Sequence, residues 1–223
     1  VMEDRAKQAL VKLAMEPEWE AKFEPNSYGF RAGRAAHDAT EAIYKAIGRK
    51  AGGSFVLDAD IKGCFDNIDH DALLRKVNTY PRLRKIIKGW LKAGILDDGV
   101  FQKSDAGTPQ GGVVSPLLAN IALDGMEEHV KDRLDEDLFQ STKARVKRER
   151  LPPTCVNRRD ARHAMSIIRY ADDFVVIHRD KDIVEKAKEV ISDWLAEMGL
   201  ELKPSKTKIA HTIENLDGKA GFD

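Results

Sequence analysis

The stretch FVLDADI, residues 55–61, decides the fold. Its alternation puts Val56, Asp58 and Asp60 on one face of a strand and Phe55, Leu57, Ala59 and Ile61 on the other. Downstream, two β-branched or aromatic runs, Ala164 to Tyr170 and Phe174 to His178, flank Ala171-Asp172-Asp173 in the layout of a hairpin whose turn carries two carboxylates. Between the first strand and this hairpin, Asp69 to Val77 and Arg82 to Ala93 read as helices. A turn-rich stretch ends in GTPQGG at 107–112, and Ser115 with Pro116 supplies an N-cap and first-turn proline for a helix continued by Leu117, Leu118, Ile121 and Met126.

After the hairpin, Asp182 and Glu185 form a capping box for a helix with Ile183, Ala187, Val190, Ile191, Trp194 and Met198 on one face and Gly199 at its end. A last strand is expected at Lys208 to Ile213. With insertions set aside, the order is strand, helix, strand, strand, helix, strand. This is the ferredoxin-like split βαβ of the α+β class, an antiparallel sheet with helices on one face. The first strand then lies beside the hairpin, so Asp60 and the Asp172-Asp173 turn meet at one sheet end. Upstream, Ala6, Ala9, Leu10 and Leu13 predict a helix over 3–15 that Pro17 stops, and a second helix is expected from His37 to Gly48, with 25–34 a loop.

The 223 residues, 42% hydrophobic and 33% charged with mean hydropathy −0.45, suit a globular chain with a real core and exclude disorder and fibrous repeats. No apolar run approaches the ~20 residues of a membrane span, and the charged start Met2-Glu3-Asp4-Arg5 is no secretory signal. Cys64 and Cys155 form no metal or disulfide pattern, so a reducing cytoplasm is expected. Lys plus Arg equals Asp plus Glu at 37 each, but the balance hides two opposed blocks. Residues 124–137 hold seven acids against Lys131 and Arg133; residues 143–162 hold eight bases, among them Arg145, Lys147, Arg148 and Arg150, against Glu149 and Asp160. The second block reads either as a phosphate-facing strip or as a solvated loop attracted to the first.

Three carboxylates converging from a strand and a turn oppose one another's ionisation unless a cation neutralises them. Hard oxygen ligands suit Mg²⁺, and two such ions about 3.5–4 Å apart support in-line displacement at phosphorus. At this point the sequence resembles the reverse transcriptases of bacterial group II introns. The resemblance rests on SYGFR at 27–31, DADIKGCFDNIDH at 58–70, GTPQGGVVSPLLANIAL at 107–123, YADD at 170–173, LKPSKT at 202–207 and GFD at 221–223, in that family's order. It implies a right-hand polymerase with fingers at 1–54 and 74–105 and palm at 55–73 and 106–223. The family's fingertip hairpin and thumb are expected outside this stretch, so the fragment alone is expected to polymerise weakly or not at all.

Carried over residue by residue, the resemblance makes Asp60, Asp172 and Asp173 the catalytic, metal-binding aspartates, with the Ile61 carbonyl as a further ligand to two Mg²⁺ ions, for which Mn²⁺ can substitute. Phe65 is the aromatic that closes the sugar pocket against a 2′-hydroxyl, Gln110 packs under the incoming nucleotide, and Lys206 protonates pyrophosphate. Arg31 and Arg34 are expected to contact template or nucleotide. The implied partners are an intron RNA template, a DNA primer and dNTPs, with no membrane. A splicing cofactor (maturase) with incidental polymerase activity, or a retron, diversity-generating or CRISPR-associated relative, would carry the same palm. RNA-dependent RNA polymerases usually place an Asp where Phe65 stands and a Gly where Ala171 stands.

Overall fold

The computed structural model describes residues 2–48, 54–93, 95–97, 100–102, 106–108 and 112–213. Strands β1 (Phe55–Asp60), β4 (Ser166–Tyr170), β5 (Asp173–His178) and β6 (Lys208–His211) form one antiparallel sheet in the order β4-β5-β1-β6. A separate hairpin, β2 (Ile95–Asp97) with β3 (Val100–Gln102), lies in what the sequence suggests is only a turn-rich stretch. Strands of three residues are too short to show a period. The four-strand order is the split βαβ expected from the sequence, with β1 seated between the hairpin and the last strand.

The period-2 reading of β1 holds. Leu57 and Ala59, together with Ile167 of β4 and Phe174 and Val176 of β5, face the main core. There they meet Ile183, Val184, Ala187, Ile191 and Leu195 of α10 (Lys181–Ala196), Leu73 and Leu74 of α4 (His70–Val77), and Leu117, Leu118 and Ile121 of α6 (Ser115–Leu123). The opposite face is only partly bare. Val56, Ile168, Val175 and Ile177 form a second apolar cluster with Ala39 and Ala46 of α2 (Ala36–Gly48), so one helix covers this face at the end of the sheet away from the acidic turn.

The first helix, α1 (Met2–Glu20), does not stop at Pro17. Pro17 removes one helical hydrogen bond. Met15 and Trp19 on either side of it are buried, Trp19 packs on Phe23 at 5.8 Å, and this packing carries the helix through. Two helix starts also shift by a residue or two: the N-caps are Val114 and Asp180, neither with a side-chain capping bond, in place of Ser115 and Asp182. The acidic and basic blocks are largely helical: α7 (Met126–Arg133) and α8 (Asp135–Arg148) lead through residues 149–157 into α9 (Arg158–Ala164), which takes the first residue of the expected hairpin strand. Among the described residues the other α-helices are the four-residue α3 (Cys64–Asn67), which follows β1 closely, and α5 (Pro81–Leu91).

Candidate active site

The register of the sheet brings the acidic residues together as the topology predicts. Asp60, last in β1, pairs with Asp173, first in β5, and Tyr170 of β4 pairs with the same Asp173, leaving Ala171-Asp172 as the turn. Ala171 supplies the left-handed residue that a two-residue hairpin needs, at φ 58°. The backbone N–H of Ile61 donates to the Asp172 carbonyl at 3.2 Å, and that of Lys203 to the Asp60 carbonyl at 2.8 Å. Strand alternation puts Asp58, Asp60 and Asp173 on the face away from the main core. Asp60 is buried and Asp173 exposed.

The electrostatics are those of a site short of positive charge. Partial desolvation, and then the negative charges of Asp60 and Asp172, raise the Asp173 carboxyl above the usual carboxylate range, against the pull of Lys206. Lys206 Nζ lies 2.5 Å from Asp60 Oδ2, and that hydrogen bond holds its ammonium above the ordinary lysine value. Beneath the site, burial pushes the Cys64 thiol up to about 12, and the Asp172 charge adds to it, which leaves an inert thiol. Among the described residues no three carboxylate, histidine or cysteine side chains already form a closed cage, and Asp60 has the lysine as its counter-ion. An all-oxygen donor set whose own ionisation is opposed by its neighbours is nevertheless what a hard divalent cation requires.

Residues that sequence reasoning missed hold the turn in place. The loop before α2 runs along the outer edge of β4: Tyr28 N–H donates to the Arg169 carbonyl at 2.8 Å, and Arg169 N–H to the Asn26 carbonyl at 2.9 Å. Gly29 is pressed on the turn so closely that a Cβ built there would lie 2.3 Å from the Ala171 nitrogen. Asn120 Nδ2 donates to the Gly29 carbonyl at 2.8 Å, while Arg169 Nη1 donates to Asn120 Oδ1 at 3.1 Å and to the Ala171 carbonyl at 3.0 Å. Arg169 and Asn120 are each 2% exposed. The available signal was an asparagine inside the apolar run SPLLANIAL and an arginine directly after the apolar pair Ile167-Ile168 of an expected strand.

Arg31 belongs to the same brace. The sequence suggests a template or nucleotide contact, but the guanidinium is buried, paired with Glu20 at 2.7 Å, donating to the carbonyls of Glu24 and Ser27, and stacked over Phe23 at 5.0 Å. Its donors are engaged inside the protein. Arg34, partly exposed, lies 5.2 Å over the Tyr28 ring and donates to the carbonyls of Pro25 and Ser27.

Phe65 sits in α3, half-buried against the main core. Its carbonyl accepts from Thr108 N–H at 2.5 Å, and a Cβ on Gly107 would come within 2.6 Å of that same oxygen, so the start of GTPQGG is clamped to the Phe65 backbone. Gln110 and GFD lie outside the described residues. Phe30 meets Phe65 edge to face, ring centroids 6.0 Å apart at 79°.

The structure sorts the basic block. Arg158 pairs with Asp135 and Glu136, and Arg162 with Glu128 and Asp132, so these two are neutralised by the acidic block. Arg145 and Arg148 instead line a cleft of about 780 Å³ of mixed charge, with Lys45 and Arg179 on one hand and Asp38, Glu41, Asp160 and Asp180 on the other. Lys147 and Arg150 are exposed and do not line it. The cleft reaches Ser166 and His178, at the ends of β4 and β5 away from the acidic turn, about 13 Å along the strand.

A ferredoxin-like sheet with aspartates on its first strand and hairpin turn, flanked by helical insertions, is the palm of a right-hand polymerase. The profile of the reverse transcriptase (RNA-dependent DNA polymerase) family matches residues 1–218, and the chain belongs to that family. It is 32% identical over 95% of its length to the group II intron-encoded protein LtrA of Lactococcus lactis, and 34% identical over 94% to protein YkfC of Escherichia coli. It spans 41% and 58% of those two proteins. A nuclear intron maturase of Arabidopsis thaliana is 22% identical over 95% of the chain and is matched over 39% of its own length. Among solved structures, apo telomerase from Candida tropicalis, truncated from its C-terminal domain, superposes with a TM-score of 0.58 at 16% identity, covering 94% of this chain and 40% of that one. No helix among the described residues is long and apolar enough to cross a membrane.

Proposed function

We propose that this chain carries the polymerising site of a group II intron reverse transcriptase, in which 55–73 and 106–223 act as palm and 1–54 and 74–105 as fingers. The observation that carries the reading is the pairing of Asp60 with Asp173 beside Asp172 in a member of this family. Two Mg²⁺ ions held by Asp60, Asp172, Asp173 and the Ile61 carbonyl would activate a primer 3′-hydroxyl and neutralise the departing pyrophosphate. Lys206, kept protonated by Asp60, is poised to give a proton to that leaving group. Phe65 closes the sugar pocket, Gln110 supports the incoming nucleotide, and Arg34 lies near enough to the surface to meet template.

The substrates in this reading are dNTPs, a DNA primer and an RNA template, natively intron RNA. The likeness to LtrA favours the intron, and the maturase relative favours a shared splicing role for the same RNA-binding surface. Arg145 and Arg148, which form no ion pair among the described residues while Arg158 and Arg162 do, offer phosphate contacts on the cleft side. The test is primer extension by the intact protein. Asp172→Asn should abolish extension and leave RNA binding within about twofold, because phosphate contacts come from elsewhere. Extension that survives the substitution refutes the site, and equal loss of binding assigns Asp172 to folding.

A further inference from the structure

Phe30 has a conformation that its own burial does not explain. Its φ is 59°, in the left-handed region that bulky residues avoid, and the residue is 51% exposed. A glycine would take this backbone without strain. The neighbours on both sides fix it: Gly29 is wedged against Ala171, and Arg31 is anchored to Glu20 and to the carbonyls of Glu24 and Ser27. Between those two anchors the side chain is turned outward, and what it meets is the edge or face of Phe65. Strain held in place by its surroundings beside an active site points to a use for the side chain.

We propose that Phe30 is a positioning residue for sugar selection, holding the Phe65 ring upright through their edge-to-face contact; this rests on the reading of Phe65 as the wall of the sugar pocket. Phe65 is only half-buried and lies in a helix of four residues, so the helix and core leave part of its ring without support. Phe30 supplies that support from a loop pinned to the acidic turn. The distance between the selecting ring and the reacting centre is thereby tied to the turn itself. Losing the contact frees Phe65 to tilt, and a tilted ring no longer overlaps a ribose 2′-hydroxyl. The gain should therefore appear in ribonucleotide use, with deoxynucleotide use nearly unchanged.

The experiment is a double-mutant cycle on single-nucleotide incorporation by the intact protein, with Phe65→Ala, Phe30→Ala and both together, reading the deoxy-to-ribo ratio of kcat/KM. Phe65→Ala should lower the ratio at least tenfold. Phe30→Ala should lower it about three- to tenfold, in keeping with one aromatic contact, and should add nothing once Phe65 is alanine. Phe30→Tyr keeps the ring and should restore the wild-type ratio, whereas Phe30→Gly relieves the backbone strain and should still lose selectivity at unchanged or higher Tm. Phe65→Ala without effect overturns the sugar-pocket reading and this proposal with it. If Phe65→Ala acts while Phe30→Ala leaves the ratio unchanged, or if the two effects simply add, Phe30 does not work through Phe65 and the proposal alone fails.

Discussion

Replacing Gly29 with alanine tests how the acidic turn is held. The added Cβ would lie 2.3 Å from the Ala171 nitrogen and 2.9 Å from its Cα and Cβ. Ordinary van der Waals contact begins near 3.4 Å, so the loop and the turn must separate by about 1 Å. Neither side yields easily. The loop is tied to β4 by two backbone bonds and to Asn120, and the turn is tied to Arg169 and Ile61. Gly29 is not in the left-handed region, so alanine meets a steric obstacle and no conformational one.

A displacement of about 1 Å in catalytic groups lowers rates by around 100-fold, while overpacking typically costs 1–3 kcal/mol of stability. Gly29→Ala should therefore reduce kcat for primer extension by about two orders of magnitude, with a much smaller change in KM for the template–primer. Steady-state kinetics beside thermal denaturation separates the effects, since a folded variant with a modest fall in Tm and a large fall in kcat reports on geometry. A variant within twofold of wild type in kcat, with unchanged Tm, would mean that the contact yields without moving the turn, and the bracing argument would be wrong.

Two further outcomes follow from the charges. Glu24 is buried enough to raise its carboxyl to about 7, with the neighbouring charges of Glu127 and Asp124 adding to the rise. Below pH 4.5 both folded and unfolded states hold that proton; as pH rises the unfolded state ionises first, so stability falls until about pH 7, by roughly 3 kcal/mol in all. Glu24→Gln should flatten this part of the stability–pH curve and stabilise the protein at pH 8, and urea midpoints from pH 4.5 to 8 that stay parallel to wild type would contradict it. Neutralising Arg145 and Arg148 together should shallow the slope of log K against log salt for single-stranded RNA by about 1.4, two phosphates at about 0.7 each. An unchanged slope would remove the cleft from the RNA-binding surface.

What could be read from the sequence was what depends on local pattern. The alternation in 55–61 and the acidic turn between two apolar runs gave the sheet, and the sheet order then forced Asp60 beside Asp173. Pro17 misleads because a local cost is outweighed by distant packing through Trp19 and Phe23. The basic block divides by partner, and partner choice is tertiary: Arg158 and Arg145 look alike in sequence, yet one faces Asp135 and the other a cleft. Arg31 is the clearest case. An exposed arginine in a family motif and a buried arginine bracing a loop have the same local sequence, and only the position of Glu20 tells them apart.

The buried Arg169 explains why the loop and the turn act as one unit. Its guanidinium is 2% exposed, two of its nitrogens have no hydrogen-bond partner among the described residues, and burial works against its charge. Asp124 offsets this, and so does Glu24 once it ionises near pH 7; neither belongs to the sheet. Glu24 arrives on the same loop that presents Gly29, and Asp124 accepts the Glu24 backbone N–H at 3.2 Å just beyond the helix that carries Asn120. Without that loop Arg169 keeps Asp124 as its counter-charge, and what the loop adds is the Gly29 carbonyl that holds Asn120 against the guanidinium. Docking the loop covers the exposed edge of β4, and it presses Gly29 onto the turn. The geometry of Asp172 and Asp173 therefore depends on residues 24–31, far away in sequence.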